Sequence, residues 1–214
     1  MSTILATRPQ YDDETAYLHA WTEDVLRAAR DAGFAVIDLA GKKATRTQLE
    51  SHLRKQPPAL VLLNGHGDSR TVFGQDDEPI AIAGENHALF SSTVISALAC
   101  ESAQELGPAC VSAGARAYIG YRKEFVFFID TDHSSTPRKD PLAEPFFAVS
   151  NQVPLSLLRG KTAAAALADS KATSRKHIVH LLGSKDPESP FMLTALIDNL
   201  MNQELLGDCE ARIA

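Results

Sequence analysis

Two short stretches carry side chains that could act as a nucleophile and its base. His66 stands between Gly65 and Gly67 directly after the apolar run Ala59 to Leu63. Cys100 closes the run Val94-Ile95-Ser96-Ala97-Leu98-Ala99, ahead of a segment from about Ser102 to Ala113 that reads as a helix closed by Gly114. A cysteine at a helix N-terminus feels the partial positive charge of unpaired amides, which favours thiolate, and a nearby imidazole can accept the proton outright. Gly67 lets a backbone N–H approach a substrate carbonyl closely, and the Cys100 amide can point at the same oxygen. The residue types thus supply a nucleophile (Cys100), a general base (His66) and two oxyanion donors (the amides of Gly67 and Cys100).

Plainer readings compete with this one. An isolated cysteine at a strand end is commonly core, because free cysteine is among the most buried residue types. A histidine flanked by two glycines has no such packing reason. A dinucleotide-binding loop also follows an apolar strand, but Arg70 stands where its third glycine is needed and a polar, turn-rich stretch replaces the helix. Around the pair, Asp68, Glu101 and Glu124 could form an acidic pocket for a basic substrate side chain, while Arg70 or Arg122 could equally serve an acidic one. His177 and His180 lie three apart on a helix without an acidic or third ligand nearby, so no metal site is expected. Cys110 falls among Ala109, Val111 and Ala113 and reads as packing, Cys209 as incidental, and Asp132-His133 as a loop pair with no nucleophile.

The elements that must position these groups follow from periodicity. Ile4-Leu5-Ala6 opens as a strand, Leu18, Trp21, Val25 and Ala28 form one helical stripe that Gly33 can close, and Phe34 to Leu39 is a second strand. Thr45 with Gln48 reads as a capping box for a helix buried through Leu49 and Leu53 and ended by Pro57-Pro58. Ala59 to Leu63 is apolar throughout, as a parallel strand covered on both faces requires. A hairpin-like stretch from Phe73 to Ile82, a strand from Val94 to Ala99 and another from Ala117 to Tyr121 complete a mainly parallel sheet with crossover helices. In such sheets ligands and catalytic groups gather at the carboxyl ends of the strands, where both His66 and Cys100 fall. From Arg122 the character changes. Residues 123–141 read as a loop with an apolar anchor at Phe125 to Ile129, and 142–214 as a helical part whose last helix starts at Ser189-Pro190 and runs through Leu205 to Gly207. The chain is expected to be one domain over 1–214, with 1–122 as the core that holds the pair.

Composition removes whole classes of function. The chain has 214 residues, a net charge of −6 and 44% hydrophobic residues, which describes an ordinary globular protein. An acidic balance spread along the chain argues against a nucleic-acid binder, which needs a basic face. No run of about 18 apolar residues appears, and the first residues lack the charged start and apolar stretch of a signal peptide, so no membrane association is expected and a cytoplasmic location is. Three cysteines without a Cys-x-x-Cys pair fit a reducing compartment.

Asn64-Gly65-His66-Gly67 after one apolar strand and Ala99-Cys100-Glu101-Ser102 after the next resemble the two active-site blocks of clan CD cysteine peptidases. That group includes caspases, metacaspases, legumain, gingipains and the caspase-like CHAT proteases of bacteria. The Ala-Cys-Glu-Ser run is particularly similar to legumain, and Val111 to Gly120 is similar to the CHAT and gingipain pattern. The resemblance covers residues 59 to 122. It implies an α/β caspase-like three-layer sandwich and a cysteine endopeptidase without a cofactor, with His66 as base, Cys100 as nucleophile, Gly67 and Cys100 as oxyanion donors, and a thioester acyl-enzyme. Its partner would be a protein or peptide substrate, under control of a regulatory protein, processing or self-association. Leu98 and Glu101 occupy the positions that set specificity in caspases and metacaspases, so neither specificity transfers. A catalytically idle caspase-like binding or scaffold domain, and a small-molecule thiol hydrolase, are the competing functions.

Overall fold

The computed structural model describes residues 2–213. The strands are β1 (Thr3–Arg8), β2 (Ala35–Ala40), β3 (Leu60–Asn64), β4 (Thr71–Phe73), β5 (Pro79–Ile82), β6 (Val94–Leu98), β7 (Ala117–Tyr121) and β8 (Gln203–Gly207). The α-helices are α1 (Asp13–Asp31), α2 (Arg46–Lys55), α3 (Leu106–Ser112), α4 (Glu144–Leu158), α5 (Ala163–Leu182) and α6 (Ser189–Asn202). Six strands form one sheet in the order β2-β1-β3-β6-β7-β8, parallel except for β8, while β4 and β5 make a separate antiparallel hairpin.

Alternation along the strands divides the core between the two faces of the sheet. Ile4, Ala6, Leu60 and Leu62 pack with Val25, Leu26 and Ala29 of α1 and with residues of α4 and α5. Leu5, Val61 and Leu63 pack on the other face with Leu49 and Leu53 of α2, Leu106 and Cys110 of α3, and the hairpin. β3 is buried at every position, which is why its sequence shows no polar alternation.

Helix starts follow local chemistry. The Asp12 side chain accepts the Thr15 amide, and the Thr15 side chain returns a bond to the Asp12 backbone, a reciprocal cap for α1. Thr45 caps α2 by accepting the Gln48 amide, and the helix stops ahead of Pro57-Pro58.

Two segments depart from the sequence expectation. The helix after Cys100 begins at Leu106 and not at Ser102. Pro108 has no N–H to offer a carbonyl four residues back and so belongs in a first turn, while Glu101 at φ 56° turns the chain away from helical geometry. The last helix ends at Asn202, and Gln203–Gly207 pairs antiparallel with β7 from Tyr121↔Gln203 to Ala117↔Gly207. That pairing satisfies backbone groups that β7 would otherwise leave open beside the core. Among the described residues no helix is long and apolar enough to cross a membrane.

Residues 123–141 contain no strand or α-helix, as expected, yet they are packed. Phe125 joins Tyr17, Leu18, Trp21, Leu98, Phe146 and Phe147 in a cluster beyond the strand ends, with Phe127, Phe128 and Ile129 against it. Asp140, 1% exposed, fastens the far end. Its carboxylate accepts the Tyr17 hydroxyl at 2.6 Å and the amides of Asp130 and Leu142, both at 2.8 Å.

Candidate active site

Three adjacent parallel strands deliver three chemically capable side chains to one edge of the sheet. β3 pairs with β6, placing Asn64 opposite Leu98, so that His66 and Cys100 follow from neighbouring carboxyl ends. β1 pairs with β3 on its other side, and the residues just past β1 lead into the Asp12 cap of α1. His66 and Cys100 line one cavity of about 100 Å³ together with Gly65, Leu18, Leu98, Phe125 and Phe127.

His66 Nε2 lies 2.7 Å from Asp12 Oδ2. A carboxylate can only accept, so Nε2 carries the proton and Nδ1 is the basic nitrogen. Nδ1 has no hydrogen-bond partner among the described residues. The Tyr11 ring meets the imidazole edge-on, with centroids 6.1 Å apart. Burial works against the Asp12 charge, but hydrogen bonds from Thr15 and then from His66 outweigh it and hold this carboxyl below the usual range. Asp12 is 54 residues from His66 in the chain, and the sequence reading missed it. The available signal was Asp12-x-x-Thr15 at the head of an amphipathic stretch, which marks a helix start and says nothing of a histidine.

Cys100 is partly buried, and its Sγ accepts the Phe125 amide at 3.4 Å. No hydrogen bond joins it to His66 among the described residues. Burial pushes this thiol above its ordinary value, and the charges of Glu124 and Glu101 act in the same direction. The expected thiolate at a helix N-terminus is therefore corrected. α3 starts too far along the chain to act on the sulfur, and apolar packing with acidic neighbours favours the neutral thiol.

The backbone beside the sulfur is open. The Phe73 amide bonds the His66 carbonyl and the Asp68 amide bonds the Thr71 carbonyl, which flanks Gly67 and leaves its own N–H unused. The Gly67 and Cys100 amides donate to no described acceptor. A Cβ on Gly67 would stand 2.7 Å from the Cys100 carbonyl oxygen and 3.2 Å from the Cys100 nitrogen, so only glycine permits this approach. Gly65, at φ 152°, would place a Cβ 1.9 Å from the Phe73 carbonyl oxygen, which explains the first of the two flanking glycines. Glu101 at φ 56° holds a conformation that costs a non-glycine residue energy, directly after the candidate nucleophile.

The surrounding charges sort themselves. Glu101 and Glu124 line the open cleft next to Gly67 and Cys100, joined by Glu14, which the sequence reading did not single out. Asp68 and Arg122 do not line it. Asp68 accepts the Arg70 and Thr71 amides of its own turn, and Arg122 is paired with Glu204. Arg70 is likewise engaged, with Glu105 at 2.9 Å. Asp12, Glu14 and His66 bring ligand atoms within 4.8 Å of one another, a donor set that the Asp12–His66 hydrogen bond already uses in part. Asp132-His133 lies in the loop, where His133 bonds Asp130, and Cys110, on α3, is buried against the sheet. No model of a known protein family matches the sequence, and neither does any curated protein.

Proposed function

We propose that the chain is a caspase-like cysteine endopeptidase in which His66 and Cys100 form the catalytic pair. In the reaction the Cys100 S–H proton passes to His66 as sulfur attacks the scissile carbonyl carbon. The oxyanion is held by the Gly67 and Cys100 amides. Protonated His66 then gives its proton to the leaving amine, the C–N bond breaks, and a thioester remains on Cys100. Water attacks that thioester with His66 again as base, releasing the acid and restoring the thiol.

The observation that carries this reading is the pair of unused amides of Gly67 and Cys100 beside a cavity shared by the sulfur and the imidazole. A structural cysteine at a strand end has no need of either. The sulfur rests on the Phe125 amide, so the pair forms its proton-transfer contact only once substrate displaces that arrangement. This resting contact also favours the second reading, an idle caspase-like binding domain. The cleft charges with no ion partner among the described residues, Glu14, Glu101 and Glu124, match a cationic substrate side chain, whereas both nearby arginines are engaged. The substrate is a peptide segment of a protein, a cytoplasmic setting suits the thiol, and a partner, processing or self-association supplies control.

Incubation of the purified chain with a peptide library, read by mass spectrometry, tests the proposal. Cleavage after Lys or Arg is the expected result. Cleavage only after acidic residues refutes the assigned specificity, and absence of cleavage together with hydrolysis of a simple thioester makes the chain a small-molecule thiol hydrolase.

A further inference from the structure

We infer that Asp12 is a positioning residue for the reaction, holding His66 in the tautomer and orientation that general-base catalysis requires. The inference rests on the catalytic reading of His66 and Cys100. Asp12 divides its carboxylate between two tasks. Oδ1 accepts the Thr15 amide at 2.8 Å and the Thr15 hydroxyl at 2.6 Å, which caps α1 and fixes the carboxylate plane. Oδ2 accepts His66 Nε2–H at 2.7 Å. The proton on Nε2 leaves the lone pair on Nδ1, the nitrogen without a partner among the described residues.

When the Cys100 S–H bond breaks and an N–H bond forms at Nδ1, the ring becomes an imidazolium, and the ionised Asp12 carboxylate stabilises that charge without taking the proton. The helix cap makes the carboxylate a fixed acceptor, so none of its orientation has to be found during the reaction. Tyr11 closes the ring's edge. Three neighbouring strand ends thus supply orienter, base and nucleophile in the order Asp12, His66, Cys100.

Asparagine separates the two tasks because it caps a helix as well as aspartate does. In Asp12→Asn the amide oxygen keeps the Thr15 bonds and the NH₂ group faces Nε2. Nε2 must then accept, the proton moves to Nδ1, and the nitrogen meant to receive the thiol proton is occupied. The second-order rate of Cys100 labelling by a peptidyl acyloxymethyl ketone should fall by ~10²-fold or more, with Tm near wild type and the ¹⁵N resonances of His66 exchanging their protonated and bare signatures. Asp12→Ser, another good cap, should show the same loss of rate without relying on the asparagine orientation. Thr15→Val weakens the cap and leaves Oδ2 on His66, so it should lower Tm and keep the labelling rate close to wild type.

A normal rate in both Asp12 variants, or a Thr15→Val rate as low as theirs, overturns the inference. Failure of the catalytic reading looks different: wild type is then unlabelled at Cys100, or His66→Ala labels as fast as wild type.

Discussion

At the scale of single residues, Gly67 and Cys100 carry opposite lessons. Gly67 was legible because a histidine with glycine on both sides has no packing explanation, and the close approach of its Cα to the Cys100 backbone is the physical reason. Gly67→Ala keeps the N–H, but its Cβ would stand 2.7 Å from the Cys100 carbonyl oxygen and must push the amide out of line, so kcat/KM on a library-derived peptide should fall by ~10²–10³-fold, as when one oxyanion donor is lost. Wild-type turnover in that variant would show that the placement of this amide does not matter to the reaction. The state of the thiol was not legible, because burial and the Glu124 and Glu101 charges belong to the folded surroundings of the sulfur. With the folded value raised, alkylation by iodoacetamide in the absence of peptide should grow with pH beyond the ordinary thiol midpoint of ~8.5. Glu124→Gln removes a charge that opposes thiolate and should move the midpoint to lower pH. A wild-type midpoint below neutrality would contradict the resting geometry. Asp12 shows the limit of local signals: its cap is written in four consecutive residues, while its contact with His66 exists only because β1 lies beside β3.

Among the elements, the parallel strands and their order of appearance were readable from apolar runs, since a strand buried on both faces cannot alternate. The length of α3 and the existence of β8 were misjudged. Pro108 did mark the true start of α3, but the run Ala103-Gln104-Glu105-Leu106 before it consists of helix formers and resembles a helix on propensity alone. β8 has a mixed burial pattern, and what makes it a strand is the open side of β7, a partner distant in the chain. α2 offers a stability test. Glu50 is held down at about 2, chiefly by hydrogen bonds from Arg46 and then from Asn86 in the segment after the hairpin. A carboxyl lowered in the folded state contributes stability above its unfolded value of ~4.3 and loses it as pH falls through the folded value. Tm should therefore drop between about pH 5 and 2, and Glu50→Gln should flatten that drop. An unchanged acid limb would show that Glu50 does not couple α2 to that segment. The Asp140 clasp is a second test: Asp140→Ala strands the Tyr17 hydroxyl and several amides and should cost about 2–3 kcal/mol in urea unfolding, with a change under 0.5 kcal/mol counting against the clasp.

For the molecule as a whole, the fold brings the cleft together from β1, β3, β6 and the segment after β7, so no stretch of sequence contains it. The Ser-, Thr- and Pro-rich composition of 123–141 suggests loose chain, but three aromatic side chains and the Asp140 clasp bind it to α1 and α4. Hydrogen exchange should accordingly show Phe125 to Ile129 protected before any inhibitor is added, with the Phe125 amide changing once Cys100 is covalently occupied, because its acceptor is the sulfur. Free exchange across 125–129 in the resting protein would mean that the cleft wall forms only on binding. The central claim, that Cys100 is a nucleophile activated by His66, is tested most directly by intact-mass and peptide mapping after treatment with a peptidyl acyloxymethyl ketone. The account predicts one adduct, on Cys100, lost in Cys100→Ala and slowed by ~10²–10⁴-fold in His66→Ala. Equal adducts on Cys110 or Cys209 that persist in Cys100→Ala would contradict it.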